Sequence, residues 1–168
     1  FFLHNRVRTI DAMQEMLARI VPEVRVMIAH GQMKERELED RIHAFMRKEA
    51  DVLLCTTIIE SGIDLPAVNT MIIERADQLG LAQLYQLRGR VGRGMTRGIC
   101  SLMVPADGVM ATNAMRRMRV IQENTELGAG FAIASADMEL RGSGNLLGKH
   151  QHGHIQSVGL DTYVDLLE

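Results

Sequence analysis

The sequence predicts an α/β fold, a parallel sheet with helices on both faces, followed by a helical hairpin and a loop. Three observations predict it. Short apolar runs alternate with amphipathic stretches as far as Pro105. Val52-Leu53-Leu54 is apolar at consecutive positions, as in a strand covered on both sides. Past Pro105 the alternation stops, and arginine-bearing and glycine-rich segments take over.

The elements follow in order. Phe1–Leu3 reads as a short buried strand running into His4-Asn5-Arg6. Thr9 can cap a helix through about Ile20, with Ile10, Met13, Met16, Leu17 and Ile20 on one face. Pro22 marks the turn out, Val24–Ile28 is strand-like, and Gly31 permits a sharp loop at Ala29–Gln32. Lys34–Lys48 is a second amphipathic helix with Leu38, Ile42, Phe45 and Met46 inward. Strands at Asp51–Cys55 and Thr70–Ile73, a helix at Leu81–Arg88 and a last strand at Ile99–Val104 complete the alternation. Strands and helices of these lengths in this order favour a parallel sheet.

Beyond Pro105, Gly108–Gln122 is helical, with Met110, Met115, Met118 and Ile121 inward and Arg116, Arg117 and Arg119 adding charge. A break at Leu127-Gly128-Ala129-Gly130 precedes a helix near Phe131–Leu140. Arg141–Gly153 is too rich in glycine for a regular element, and a short helix is expected at Asp161–Leu167. The tail carries too little core to be an independent domain.

Composition narrows the function. A formal net charge of -2 excludes a bulk polyanion binder, so nucleic-acid contact must come from local arginine clusters. Cys55 and Cys100 lie in apolar runs and read as buried reduced thiols, with no disulfide or zinc spacing. No apolar run approaches the roughly 20 residues of a membrane span, and no signal peptide is recognisable. The expected setting is cytoplasmic, with no membrane partner. The twelve methionines are expected to serve packing. The opening on Phe1-Phe2-Leu3 suggests a piece of a larger protein.

Two segments carry the chemistry. Gln86-Leu87-Arg88-Gly89-Arg90-Val91-Gly92-Arg93 places Arg90 and Arg93 three residues apart around a glycine. Two permanently charged, planar guanidinium groups suit a phosphate whose charge is spreading during transfer. Alone, the run reads better as a basic turn on a solvated surface. Upstream, Thr56-Thr57 end a buried strand, and Gly62 and Asp64 follow. Hydroxyls there suit sugar-phosphate contacts, Gly62 allows close backbone approach, and Asp64 can reach a ribose hydroxyl or an arginine. Otherwise the threonines cap a helix near Ile58, and Gly62 and Asp64 form its exit turn. Gly144–His150 is no phosphate loop, because it lacks a residue between its glycines and has His150 where Ser or Thr would hold Mg²⁺. His150, His152 and His154 alternate without a fourth ligand, so no metal site is expected.

Paired in this order, the two segments resemble motifs V and VI of the second RecA-like lobe of superfamily 2 helicases and translocases. The whole chain is similar to the C-terminal motor lobe of the bacterial transcription-repair coupling factor family, and more distantly to the RecG family. Phe2–Val7 resembles motif IV; His30–Met33, Ile72–Asp77 and Gly80–Arg93 continue the match. Asp137–Gly144, with Gln151 ten residues after Arg141, resembles the translocation motif the two families share. Asn145 and His152 depart from the family pattern at positions where an acidic residue and a serine are usual.

The resemblance implies a RecA-like lobe over residues 1–105 and a translocation motif over 106–168. It implies an ATP-driven translocase on double-stranded DNA, with ATP and Mg²⁺ bound mainly by another lobe. Arg90 and Arg93 would be arginine fingers; Gly62, Asp64 and Gln86 would contact nucleotide or the other lobe. His4, Asn5, Arg6, Thr56 and Thr57 would meet DNA, and Arg117, Arg141 and Gln151 would couple hydrolysis to movement. RNA polymerase and excision-repair proteins would be partners of the intact parent. This chain alone, lacking a phosphate loop and acidic box, is expected to have no ATPase activity. A RecG-like fork-remodelling lobe, an RNA helicase lobe and a non-catalytic nucleic-acid-binding module are the alternatives.

Overall fold

The computed structural model describes residues 1–56, 68–92, 97–106, 110–125 and 128–140. Five strands form one parallel sheet: β1 (Phe2–Leu3), β2 (Val26–Ala29), β3 (Val52–Cys55), β4 (Thr70–Ile73) and β5 (Ile99–Leu102). Their order across the sheet is β2-β3-β1-β4-β5, so β1 is central and β5 lies at an edge. Among the described residues five α-helices accompany them: α1 (Ile10–Ile20), α2 (Glu35–Met46), α3 (Leu81–Arg88), α4 (Thr112–Glu123) and α5 (Gly130–Leu140).

Alternation along β1, β3 and β4 divides the core between the two faces of the sheet. Phe2, Leu54 and Ile72 join Ile10, Met13 and Leu17 of α1. Leu3, Leu53, Cys55, Met71 and Ile73 join Ile42 of α2, Leu81, Leu84 and Leu87 of α3, Met118 and Ile121 of α4, and Ile133 of α5. Fully burying one such aliphatic side chain is worth about 1.5–3 kcal/mol. The two C-terminal helices thus share the core of the sheet's own helices.

The expected inward faces hold at Ile10, Met13, Leu17, Leu38, Ile42, Phe45, Met118 and Ile121, and fail at Met16, Ile20, Met46 and Met115. Met16 and Ile20 are exposed, because Ile10, Met13 and Leu17 already fill the stripe of α1 that meets the sheet. Met46 and Met115 are also exposed. On α4 the inward set is Ala114, Met118 and Ile121, and Ala114 rather than Met115 occupies that register. The helix starts at Thr112 rather than Gly108. The second strand begins at Val26, not Val24, because Val24 closes a turn onto the Val21 carbonyl. β5 stops at Leu102 and alternates exposed and half-buried residues, so Cys100 is only half-buried. Thr9 stands at the start of α1 but makes no capping bond. Its hydroxyl lies 2.8 Å from Nε2 of His4.

Candidate functional site

The carboxyl ends of β1, β3 and β4 meet at one edge of the sheet. The His4 N–H donates to the Cys55 carbonyl at 2.8 Å, and the Glu74 N–H to the Leu3 carbonyl at 3.0 Å. Thr56 continues β3 here and is buried, its N–H directed at the Ala29 carbonyl at 3.4 Å. Asn5 and Arg6 are exposed beside it. His4 is only 5% exposed, with Nδ1 3.1 Å from Glu74 Oε2 and Nε2 2.8 Å from Thr9 Oγ1. Both ring nitrogens thus have a side-chain partner, Nδ1 the Glu74 carboxylate and Nε2 the Thr9 hydroxyl, which itself points to the Arg6 carbonyl at 3.4 Å. The ring is therefore engaged within the fold, and the solvent-facing groups of this segment are Asn5 and Arg6.

The turn that leaves β4 is held from several sides. Arg75 adopts a left-handed backbone, φ 52°, which costs a non-glycine residue about 1–2 kcal/mol. Asp77 grips its guanidinium through two bonds of 3.0 Å. That pairing holds the Asp77 carboxyl below its ordinary value. Arg117 of α4 donates to the Asp77 carbonyl at 2.8 Å, while its Nε is buried without a partner among the described residues. Arg6 donates to Gln78 Oε1 at 3.1 Å, and the Ala76 N–H to the Met103 carbonyl at 2.9 Å. His30, at the end of β2, also buries an Nδ1 that has no partner among the described residues.

The opposite edge receives the end of α3. This helix carries exposed Gln86 and leads through Gly89 to half-buried Arg90, whose N–H donates to the Leu87 carbonyl at 3.0 Å. The Gly92 N–H then points to the Val68 carbonyl at 3.4 Å, and the Ile99 N–H donates to the Asn69 carbonyl at 2.7 Å. Both acceptors precede β4, so this is the amino edge. Gly92 has φ +74°, and a Cβ on it would lie 2.7 Å from the Gly98 nitrogen. The chain on either side of the Arg93 segment is thus pinched together by two glycines. Arg88 anchors α3 to α4, donating to the carbonyls of Ile121 at 3.0 Å and Asn124 at 2.6 Å, and stacks over the Tyr85 ring.

Of the residues singled out from sequence, His4, Asn5, Arg6 and Thr56 come together at the carboxyl edge, beside the turn that α4 reaches through Arg117. Gln86 and Arg90 stand apart from them, toward the amino edge. Thr57, Gly62, Asp64, Arg93, Arg141 and Gln151 lie outside the described residues, as does the His150–His154 run. Sequence reasoning assigned no role to Glu74, Asp77, Gln78 or Arg88. The run Glu74–Asp77 stood out in the resemblance, but its partners are about seventy residues away for Glu74 and forty for Asp77. Among the described residues no three His, Cys, Asp or Glu side chains group to hold a metal ion. No helix among them is long and apolar enough to cross a membrane.

The parallel five-stranded sheet with helices on both faces is the architecture of a RecA-like helicase lobe. The chain belongs to the family described as the helicase conserved C-terminal domain, which matches residues 1–95. Over all 168 residues it is 55% identical to a transcription-repair-coupling factor of Myxococcus xanthus. It is 50% identical, again over its whole length, to the protein of the same name in Staphylococcus aureus strain USA300. The chain spans 14% of the length of each. Among solved structures, RecG bound to a three-way DNA junction matches with a TM-score of 0.67 and 38% identity, over 82% of this chain and 18% of that one. The C-terminal domain of the DEAD-box protein Dbp5 shares the fold, with a TM-score of 0.56 and 22% identity over 74% of this chain and 69% of that one.

Proposed function

We propose that this chain is the second motor lobe of an ATP-dependent double-stranded DNA translocase that removes stalled RNA polymerase in transcription-coupled repair. The observation that carries this reading is the identity of 50–55% over every residue of the chain to proteins named for that activity. It extends through the tail, past the helicase family match that ends at residue 95. The motor would act through two edges of the sheet. Asn5 and Arg6, with Thr57 next in sequence to the buried Thr56, would face the DNA backbone, and His4 would hold that segment. Arg90 and Arg93 would reach the phosphates of ATP bound on another lobe, and Gln86, Gly62 and Asp64 would align the two lobes.

ATP hydrolysis with Mg²⁺ supplies the energy. The described residues fit the part of a phosphate-reaching partner, offering Arg90 near the amino edge. The ion and the phosphate loop would be held by the other lobe, and this chain alone would not hydrolyse ATP. Residues 106–168, carrying Arg117, Arg141 and Gln151, would convert lobe closure into movement along the duplex. Excision-repair proteins would be recruited through other parts of the parent.

The test is displacement of a triplex-forming strand from duplex DNA by the intact parent protein. Displacement by the wild type and none by Arg141→Ala, with ATP turnover continuing in both, is the expected result. A variant that displaces the strand at the wild-type rate would remove Arg141 from the coupling step. A second reading, a lobe that remodels forks or junctions, is favoured by the structural match to RecG on a three-way junction. Preference for branched DNA over linear duplex in the same assay would select it.

A further inference from the structure

The geometry points to Glu74 as a positioning residue that, through His4, sets the exposed Asn5-Arg6 segment against DNA, with Gln78 as a second brace through Arg6. This rests on the proposed reading of the carboxyl edge as the DNA-facing one. The exposed segment follows a strand of only two residues, so β1 gives it little support. What supports it comes from β4 and the turn behind it. Glu74 is the first residue after β4, and its carboxylate lies 3.1 Å from Nδ1 of a ring that is only 5% exposed. The same ring holds Thr9 at the start of α1, at 2.8 Å. Asn5 and Arg6 are thus suspended between two fixed points, His4 and Thr9, and the Thr9 N–H closes the span onto the Arg6 carbonyl at 3.2 Å. From the far side Gln78 accepts from the Arg6 guanidinium at 3.1 Å. The turn bearing Glu74 and Gln78 is itself fixed by the Arg75–Asp77 pair and by Arg117.

The charge of Glu74 makes the inference sharp. A carboxylate near a phosphate backbone repels it, so charge alone predicts tighter DNA binding when Glu74 is replaced by alanine. A positioning role predicts the opposite sign. Releasing His4 frees the span, Arg6 loses its fixed direction, and a phosphate contact is weakened although a negative charge has gone.

The experiment uses the intact parent protein and a linear duplex, measuring DNA affinity over a range of salt and the DNA dependence of ATP turnover. Glu74→Ala is expected to weaken binding by about three- to ten-fold and to lower the salt slope by roughly one, the signature of one lost phosphate contact. The DNA concentration for half-maximal turnover should rise while the maximal rate stays within about two-fold, the split expected when binding is lost without chemistry. Glu74→Gln keeps an acceptor for Nδ1 and should restore the affinity. Gln78→Ala, at an exposed position with no fold to upset, should show a smaller change of the same sign.

Tighter binding by Glu74→Ala, or an unchanged salt slope in both Glu74→Ala and Gln78→Ala, would overturn the inference. If Glu74→Ala does not fold, Gln78→Ala together with Glu74→Gln decides it: unchanged affinity and slope in the former, or weakened binding in the latter, overturns it. Arg6→Ala separates this from the underlying reading. Weakened binding there with normal Glu74→Ala sinks only the positioning role, whereas DNA affinity untouched by Arg6→Ala sinks the DNA-facing assignment itself.

Discussion

Arg90 is the residue on which the proposed chemistry turns. Fingers of this kind contribute about 10³–10⁵ in rate, so Arg90→Ala in the parent should nearly abolish ATP hydrolysis while nucleotide binding persists. Turnover near the wild-type rate would remove it from that role. The two thiols differ by environment. Cys55 is fully buried, its thiol pushed up to about 12 by desolvation, whereas Cys100 is half-buried on the edge strand. A thiol-alkylating reagent at neutral pH should therefore label Cys100 first, with Cys55 protected until the lobe unfolds; equal rates would contradict the burial described. Just before β3, Asp51 accepts from the main chain and guanidinium of Arg25, the residue that precedes β2, and these bonds hold its carboxyl near 2, below its ordinary 3.8. The folded value is depressed, so the stabilisation is present above 3.8 and is lost as pH falls through about 2. Asp51→Asn should flatten the acid dependence of stability in that window, and an unchanged profile would assign the acid sensitivity elsewhere.

At the scale of elements, α3 connects the two edges of the sheet and α4 holds it at both ends, through Arg117 near its start and Arg88 near its finish. α5 closes this layer with Ile133, which is 2% exposed. Ile133→Ala should cost about 2–5 kcal/mol in equilibrium denaturation. A loss below about 1 kcal/mol would mean that α5 is not part of the folded core, since even a single-methylene deletion in a packed site costs that much. Most of these elements were legible in the sequence, because β3, β4, α2 and α3 announce themselves by runs and periods that local physics imposes. The errors came where a third dimension decides. Ile20 and Met46 sit on apolar stripes wider than the surface that covers them, and β5 reads as apolar although it lies at the edge of the sheet of described strands. Thr9 has the chemistry of a helix cap, but a histidine five residues earlier captures its hydroxyl. Motifs single out Arg6, Arg90 and Arg117 as candidates but not Glu74 or Gln78, whose partners lie about seventy residues away.

For the whole molecule, the proposed roles fall at opposite ends of the strands. The groups proposed for DNA lie at the carboxyl ends of the strands and those proposed for ATP toward the amino ends, with α3 and α4 spanning the distance between. A lobe built this way can convert a change at one edge into displacement at the other, provided a second lobe supplies the nucleotide site. The most direct test is ATP-dependent release of a stalled RNA polymerase from DNA by the intact parent, measured alongside its Arg90→Ala variant. Release by the wild type and none by the variant is the predicted result. A wild-type protein that hydrolyses ATP in response to DNA yet leaves the polymerase in place would contradict the account.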